Sequence, residues 1–154
     1  MMDKAQSLSK ISKDLMLKEP YYGFFLIMLN KVWRKDLPTA GVSKQNINYQ
    51  LAINEEFWTG LSDDHKTGLL KHELLHIAFG HLVSFSSFSN KKLANVAMDM
   101  EINQYIEDSW LPEGGIRIED YEDILSRFSN WKEYKREINL SQLLEEGKKI
   151  EFQV

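Results

Sequence analysis

Residues 72–76 read His-Glu-Leu-Leu-His, which places two candidate metal ligands and a candidate proton acceptor within one short stretch. On a helix, residues four apart share a face, so His72 and His76 could bind one tetrahedral zinc ion. Glu73 lies beside them and could act as general base toward a metal-activated water. This HExxH pattern is typical of zinc-dependent hydrolases.

The flanking residues predict the helix that this chemistry requires. Ser62 is a good N-cap, and Asp63 and Asp64 suit the first turn. Gly80 suits a helix end, so the helix should span about residues 63–80. Apolar residues at helical spacing predict a buried stripe, formed by Leu69, Leu70, Leu74, Ile77 and Ala78. The alternative is a helix with two incidental surface histidines.

A catalytic zinc ion usually has three protein ligands and a water, so the chain must supply a third ligand. A second helix, predicted over residues 93–108, carries Asn95, Asp99 and Asn103 on one face because they are spaced by four. We predict Asp99 as the third ligand. Asn95 and Asn103 would orient the ligands or hold the neighbouring loop, or else lie in solvent. Glu101, about 200° away from Asp99 around the helix, is the alternative ligand.

His81 is a further candidate near the motif. In a regular helix it would lie about 140° from His76 and face away from the metal. A break at Gly80 could turn it back, although the span is short. A position beside the ligands, or at the helix end where the dipole favours it, is the other prediction. If His81 joined the other ligands, four protein ligands would close the site, as in structural zinc sites.

Composition limits the class of protein. The chain has 154 residues, a net charge of −4 and no cysteine. The length suits a single domain over residues 1–154, and the lack of cysteine excludes disulfides, thiolate zinc sites and cysteine nucleophiles. No basic block appears, so we expect no nucleic-acid partner. The polar start and the short apolar stretch at 21–29 predict neither a signal peptide nor a membrane span, and we expect a cytoplasmic protein.

Periodicity and breaking residues predict the remaining elements. They are a helix at 7–18, a helix from 21 that continues through Val32 and Trp33, a turn at 38–41, a strand at 47–53, a loop or short helix at 54–58, a flexible loop at 84–92 and a break at 112–115. The domain core should cover about residues 20–112. Residues 116–154 should form a helical C-terminal extension for packing.

Two stretches of the chain together resemble a known family. The run Leu61–His81, followed by Asn95–Asn103, is similar to the metallopeptidase domain found upstream of von Willebrand A-like domains in bacterial and phage proteins. That family shows a leucine-rich HExxH helix ending in Gly-His and then an Asn-x-Ala-x-Asp-x-x-Ile-Asn stretch. The resemblance covers roughly residues 45–110. It implies an α+β fold, a mostly helical zincin-like domain with a small sheet, and zinc bound by His72, His76 and Asp99.

The resemblance also implies a substrate and a partner. The expected reaction is peptide-bond hydrolysis of a peptide or protein, with Glu73 as general base. We also expect a partner that carries a von Willebrand A-like domain, since no room for one remains after residue 154; the chain would be a stand-alone form or part of a longer protein. Candidates for a second oxyanion donor are His81, Tyr105 and Tyr121. The strand Tyr49–Ile53, if it lies at the sheet edge, could bind the substrate backbone.

Other functions remain open at this point. The zinc site could be structural, in a non-catalytic assembly or regulatory module. The chain could also hydrolyse a bond other than a peptide bond, because the motif determines the metal chemistry and not the scissile group. Another first-row metal could replace zinc.

Overall fold

The computed structural model describes residues 2–84 and 87–115. Its elements, in chain order, are α1 (Lys4–Lys18), α2 (Pro20–Met28), β1 (Asn30–Trp33), β2 (Ala40–Gln45), β3 (Asn48–Ile53), α3 (Glu55–Thr59), α4 (Asp63–Ala78), α5 (His81–Ser84) and α6 (Lys91–Asn103). The predicted fold class is confirmed, because the described chain is mostly helical with one small mixed sheet. The predicted extension at 116–154 lies outside the described residues.

Contacts group the chain into two compact units. The first comprises Met1–Leu82 and Ile106–Glu113 and contains α1 to α4 and the sheet. The second includes Val83–Tyr105 and contains α6. The single domain over residues 1–154 stays a prediction. In the described part of the chain, no helix is both long enough and apolar enough to cross a membrane.

The sheet has the order β1-β3-β2, with β3 in the centre. β2 and β3 form an antiparallel hairpin, and the two residues between them are Asn46, at a φ of 55°, and Ile47. Asparagine tolerates this left-handed conformation, which suits a tight hairpin turn. β1 pairs with the other side of β3 in parallel.

One prediction about the sheet is wrong. Val32 and Trp33 were expected to continue the second helix, but they belong to β1 and pair with Ala52 and Ile53. The backbone turns extended at Leu29, with φ −81° and ψ 144°, and a β-branched and an aromatic residue then suit a strand. The predicted strand is confirmed as β3, but it is not at the sheet edge.

The sequence did not reveal β2. The expected turn at 38–41 ends earlier, because Ala40 and Gly41 already pair with β3. The strand lacks a clear apolar alternation, since its second half is exposed. It is the antiparallel edge of the sheet in the described part of the chain, and it packs against α4.

The predicted helices are confirmed, with shifted ends. α1 begins before residue 7 because Asp3 caps it: its carboxylate accepts from the Gln6 amide at 2.8 Å, and the Gln6 side chain accepts from the Asp3 amide at 3.2 Å. α6 ends at Asn103, short of the predicted 108. α3 is the short helix expected near 54–58, and the break at 112–115 contains Gly114 at a φ of 88°.

The motif helix α4 lies in the hydrophobic core of the first unit. Ser62 is its N-cap, as predicted, and accepts a hydrogen bond from the His65 amide at 3.2 Å. α1, α2 and β2 pack against it. The core includes Leu8, Ile11, Leu15, Leu26, Leu51, Ile53, Trp58, Leu69, Leu70, Leu74 and Ile77. The predicted stripe is therefore confirmed except at Ala78, which is exposed in the last turn.

Candidate metal centre

His72 and His76 bring two ring nitrogens together on α4. Their Nε2 atoms are 3.2 Å apart, and their rings are nearly perpendicular, with centroids 4.8 Å apart. Two nitrogens bound tetrahedrally to one zinc ion at ordinary bond lengths would be about 3.3 Å apart. The pair therefore has the separation that a shared metal ion requires. Both residues are half-buried.

Asp99 completes a group that could hold a metal ion. One ligand atom each from His72, His76 and Asp99 lies within 4.8 Å of the other two. Two imidazole nitrogens and a carboxylate oxygen are donors that zinc commonly binds in catalytic sites. Glu101, the alternative third ligand, does not belong to this group. These donors fit zinc, although they also suit other first-row metals.

The two asparagines on the Asp99 face of α6 differ in burial. Asn103 is buried, with 1% of its surface exposed, whereas Asn95 is exposed. The spacing by four predicts a shared face on an ideal helix. It does not predict how deeply each residue along that face is buried. Their proposed role in orienting the ligands stays a prediction.

Gly80 turns the chain back at the end of α4. The helix ends at Ala78, and Gly80 adopts a left-handed φ of 69°, which a residue with a side chain rarely adopts. His81 follows and is buried, and the Phe79 ring stacks on it with centroids 5.9 Å apart. The break considered from the sequence thus occurs at the expected glycine.

His81 lies at the side of His76 that faces away from His72. The Nδ1 atoms of His76 and His81 are 3.0 Å apart, whereas the Nε2 atom of His76 faces His72. A five-membered ring places these two nitrogens in different directions. His81 is accordingly not a member of the group formed by His72, His76 and Asp99.

An ion pair between a buried lysine and a half-buried glutamate immediately precedes the motif. The Lys71 Nζ donates to Glu19 Oε1 at 2.9 Å and lies over the rings of Tyr22 and Trp110, with centroid distances of 5.2 and 5.6 Å. Only 7% of the Lys71 side chain is exposed. Sequence reasoning missed this cluster. The available signal was a lysine within a leucine-rich stretch, but its partners lie far away in the sequence.

A second buried lysine lies five residues earlier on α4. Lys66 Nζ donates to Ser7 Oγ at 3.0 Å, and the same hydroxyl accepts from Trp58 Nε1 at 3.2 Å. The ammonium group also lies 5.4 Å from the Trp58 ring centroid. These contacts join α1, α3 and α4, so they fix the position of the motif helix within the first unit.

Gly68 allows the chain near Trp110 to approach α4 closely. A Cβ atom at Gly68 would lie 1.8 Å from the Trp110 carbonyl oxygen, far inside van der Waals contact. Glycine is therefore required for this packing. The Trp110 ring reaches Lys71 from the same position.

Glu73, the candidate general base, follows His72 directly and is buried, with 6% of its surface exposed. Tyr105, a candidate oxyanion donor, is exposed, and Tyr121 lies outside the described residues. The roles of these residues stay predictions.

Comparison with known families gives the class of this domain. A family described as "putative metallopeptidase domain" matches residues 3–149, and the chain belongs to this family. No curated protein and no solved structure matches the chain. The family membership confirms the resemblance that the two motifs indicated.

Proposed function

We propose that this protein is a zinc-dependent peptidase in which His72, His76 and Asp99 hold the metal. The observation that supports this most strongly is that one ligand atom from each of these residues lies within 4.8 Å of the other two. The two histidines belong to α4, which also carries Glu73. The family implies a protein substrate. No nucleic-acid partner is proposed, and the cytoplasmic location and a partner with a von Willebrand A-like domain stay predictions.

The proposed reaction assigns one task to each side chain. Zinc, when bound, supplies a Lewis acid that makes a water more acidic and polarises the scissile carbonyl. His72 and His76 offer the lone pairs of their Nε2 atoms. Glu73 accepts a proton from the water as the water oxygen adds to the carbonyl carbon, and it then delivers this proton to the leaving amine nitrogen as the C–N bond breaks. Glu73 can perform both transfers because the loss of the proton to the amine returns it to the carboxylate form.

The substrate backbone would pair with β2. Since β3 is central, it offers no open edge, whereas β2 is an antiparallel edge strand that packs against the motif helix. An extended peptide can add to such an edge through its main-chain groups, with side chains alternating between the two faces. This replaces β3 by β2 as the proposed binding strand.

A structural metal site would require a fourth protein ligand. His81 was the candidate for that position, and it lies at the Nδ1 atom of His76 instead. This geometry favours an open site and therefore catalysis.

Metal content tests the proposed ligands. Protein purified without added metal should contain about one zinc per chain. His72→Ala and Asp99→Ala should lose the zinc, and Asp64→Ala should keep it, because Asp64 is an exposed acid in the first turn of α4. The zinc-containing protein should cleave an unfolded protein substrate, and a chelator should stop cleavage. Absence of zinc from the wild type, or its retention in both ligand variants, would contradict the proposal.

A further inference from the structure

The contact between His76 and His81 has a chemical consequence for the proposed metal site. A neutral imidazole carries one N–H and one lone pair, on different nitrogens. If the lone pair of His76 is on Nε2, where it faces His72, the proton must be on Nδ1. The group that accepts this proton decides whether that tautomer is favoured.

His81 is placed to be the acceptor. Its Nδ1 atom lies 3.0 Å from His76 Nδ1, an ordinary hydrogen-bond distance. A lone pair on His81 Nδ1 would hold the His76 proton there and leave His76 Nε2 free to bind a cation. In the opposite arrangement, His81 Nδ1–H would donate to His76, whose own proton would then be on Nε2 and would block metal binding.

The surroundings of His81 restrict its orientation. The residue is buried, with 2% of its surface exposed, and the Phe79 ring stacks on it at an interplanar angle of 25°. The left-handed turn at Gly80 brings the ring back toward α4 immediately after the helix ends. A side chain that is buried, stacked and held by a tight turn has few orientations available. The contact with His76 therefore follows from the way in which the helix ends.

We infer that His81 is a positioning residue for His76, which fixes the tautomer and ring orientation in which His76 Nε2 binds the metal. This inference rests on the proposed metal site, but not on peptide hydrolysis. Histidine ligands commonly donate their second N–H to a carboxylate or carbonyl group, and here an imidazole nitrogen takes that place. Loss of such a partner typically weakens metal binding about 10- to 100-fold.

Zinc affinity, measured by competition with a chromophoric chelator, tests the inference. His81→Leu removes the acceptor and should weaken zinc binding about 10- to 100-fold, whereas His81→Asn offers an amide oxygen near the position of Nδ1 and should restore most of the affinity. His65→Leu is the matched control, a histidine of the same helix that belongs neither to the metal-ligand group nor to the ring contacts of His76, and it should leave the affinity unchanged. His72→Ala should abolish binding.

The outcomes separate the inference from the proposed function. A wild-type chain that does not bind zinc would overturn both. If the wild type binds zinc and His81→Leu binds it equally well, only the inference fails. If His81→Leu loses zinc completely, as His72→Ala does, and His81→Asn does not recover it, His81 is a ligand and the inference also fails.

A second measurement does not depend on the folding of any variant. Long-range ¹H–¹⁵N NMR spectra of the zinc-loaded wild type report which nitrogen of each histidine carries the proton. We expect His76 to be protonated at Nδ1 and His81 at Nε2. A proton on His81 Nδ1 in the hydrogen bond to His76 would overturn the inference.

Discussion

Lys71 and His72 are neighbours on α4, yet their side chains meet different surroundings. The Lys71 ammonium group has a carboxylate acceptor and two aromatic faces within the same unit. The Nε2 atom of His72 instead faces the Nε2 atom of another imidazole. Two neutral imidazole nitrogens can share only one proton, whereas both lone pairs can bind a single cation. We therefore expect Lys71 to contribute to stability and His72 to the proposed metal site.

The same contrast extends to the turns on either side. Lys66, five residues before Lys71, contacts a hydroxyl acceptor and an aromatic ring. His76, one turn after His72, lies between two other histidine rings. Substitutions of the two lysines should therefore change the free energy of unfolding, whereas substitutions of the two histidines should change metal binding.

Glu73→Gln should produce the largest effect, and only on the reaction. Glutamine has nearly the same shape but cannot accept the proton, so turnover should fall about 10²- to 10⁴-fold. Zinc content and the denaturation midpoint should remain close to those of the wild type. Peptide turnover in single-turnover conditions measures the effect. Full activity in the variant would show that Glu73 is not the general base.

Lys71→Ala should produce the largest loss of stability. It leaves the half-buried Glu19 carboxylate without its cation, and since partial exposure lowers the cost of losing a buried partner, the loss should be about 2–3 kcal/mol. Urea denaturation measures the free energy of unfolding. The matched control is Lys4→Ala, which breaks the more exposed pair with Glu55 and should cost less than about 1 kcal/mol. Equal losses in the two variants would contradict the structural role of Lys71.

Gly68→Ala should destabilise the first unit by about 1–3 kcal/mol, because the added methyl group overlaps the Trp110 carbonyl oxygen. Since a backbone atom is in the way, relief requires a shift of the segment around Trp110. Gly41→Ala is the control, because a Cβ atom there meets nothing within 4 Å. Thermal denaturation with tryptophan fluorescence compares them. A neutral Gly68→Ala would disprove this close approach.

Asp63→Asn should have the smallest effect, and this effect should depend on pH. The hydrogen bond from Lys10, at 3.0 Å, holds the pKa of Asp63 below its ordinary value. A carboxylate with a lowered pKa stabilises the fold above its unfolded-state pKa, and this contribution is lost as the pH falls through the folded-state pKa. The difference between wild type and variant should be a few tenths of a kcal/mol at neutral pH, because the pair is exposed.

Denaturation series at neutral and acidic pH, with and without added salt, test this last prediction. The difference should vanish at acidic pH and shrink in salt. If the difference in the free energy of unfolding grew as the pH fell, the prediction would be contradicted.

The local signals were readable from the sequence, and the long-range ones were not. The cap at Ser62, the break at Gly80 and the shared face of His72 and His76 depend on neighbours within one or two turns. The partners of Lys71 depend on how distant helices pack, which spacing does not reveal. β2 was missed because its pairing with β3 determines its structure, while its own pattern is weak.

The candidate site shows the same difference between local and long-range signals. HExxH spacing predicted a pair of ligand nitrogens, and the polar face of α6 predicted Asp99. The position of His81 was undecided, because rotation around an ideal helix axis ceases to apply once a glycine takes a positive φ. Which nitrogen of His76 it would meet could only be seen in the structure.

The order of strands in the sheet has a consequence for how the chain folds. β2 and β3 are joined by a two-residue turn, so this hairpin can close within about 1–10 μs without help from the rest of the chain. β1 must then pair in parallel with β3, although β2 lies between them in the sequence, and α1 and α2 move together with β1. Because this step closes a longer loop, it costs more chain entropy and should be the slower one. We expect mutations at the hairpin turn to change the folding rate less than mutations along β1.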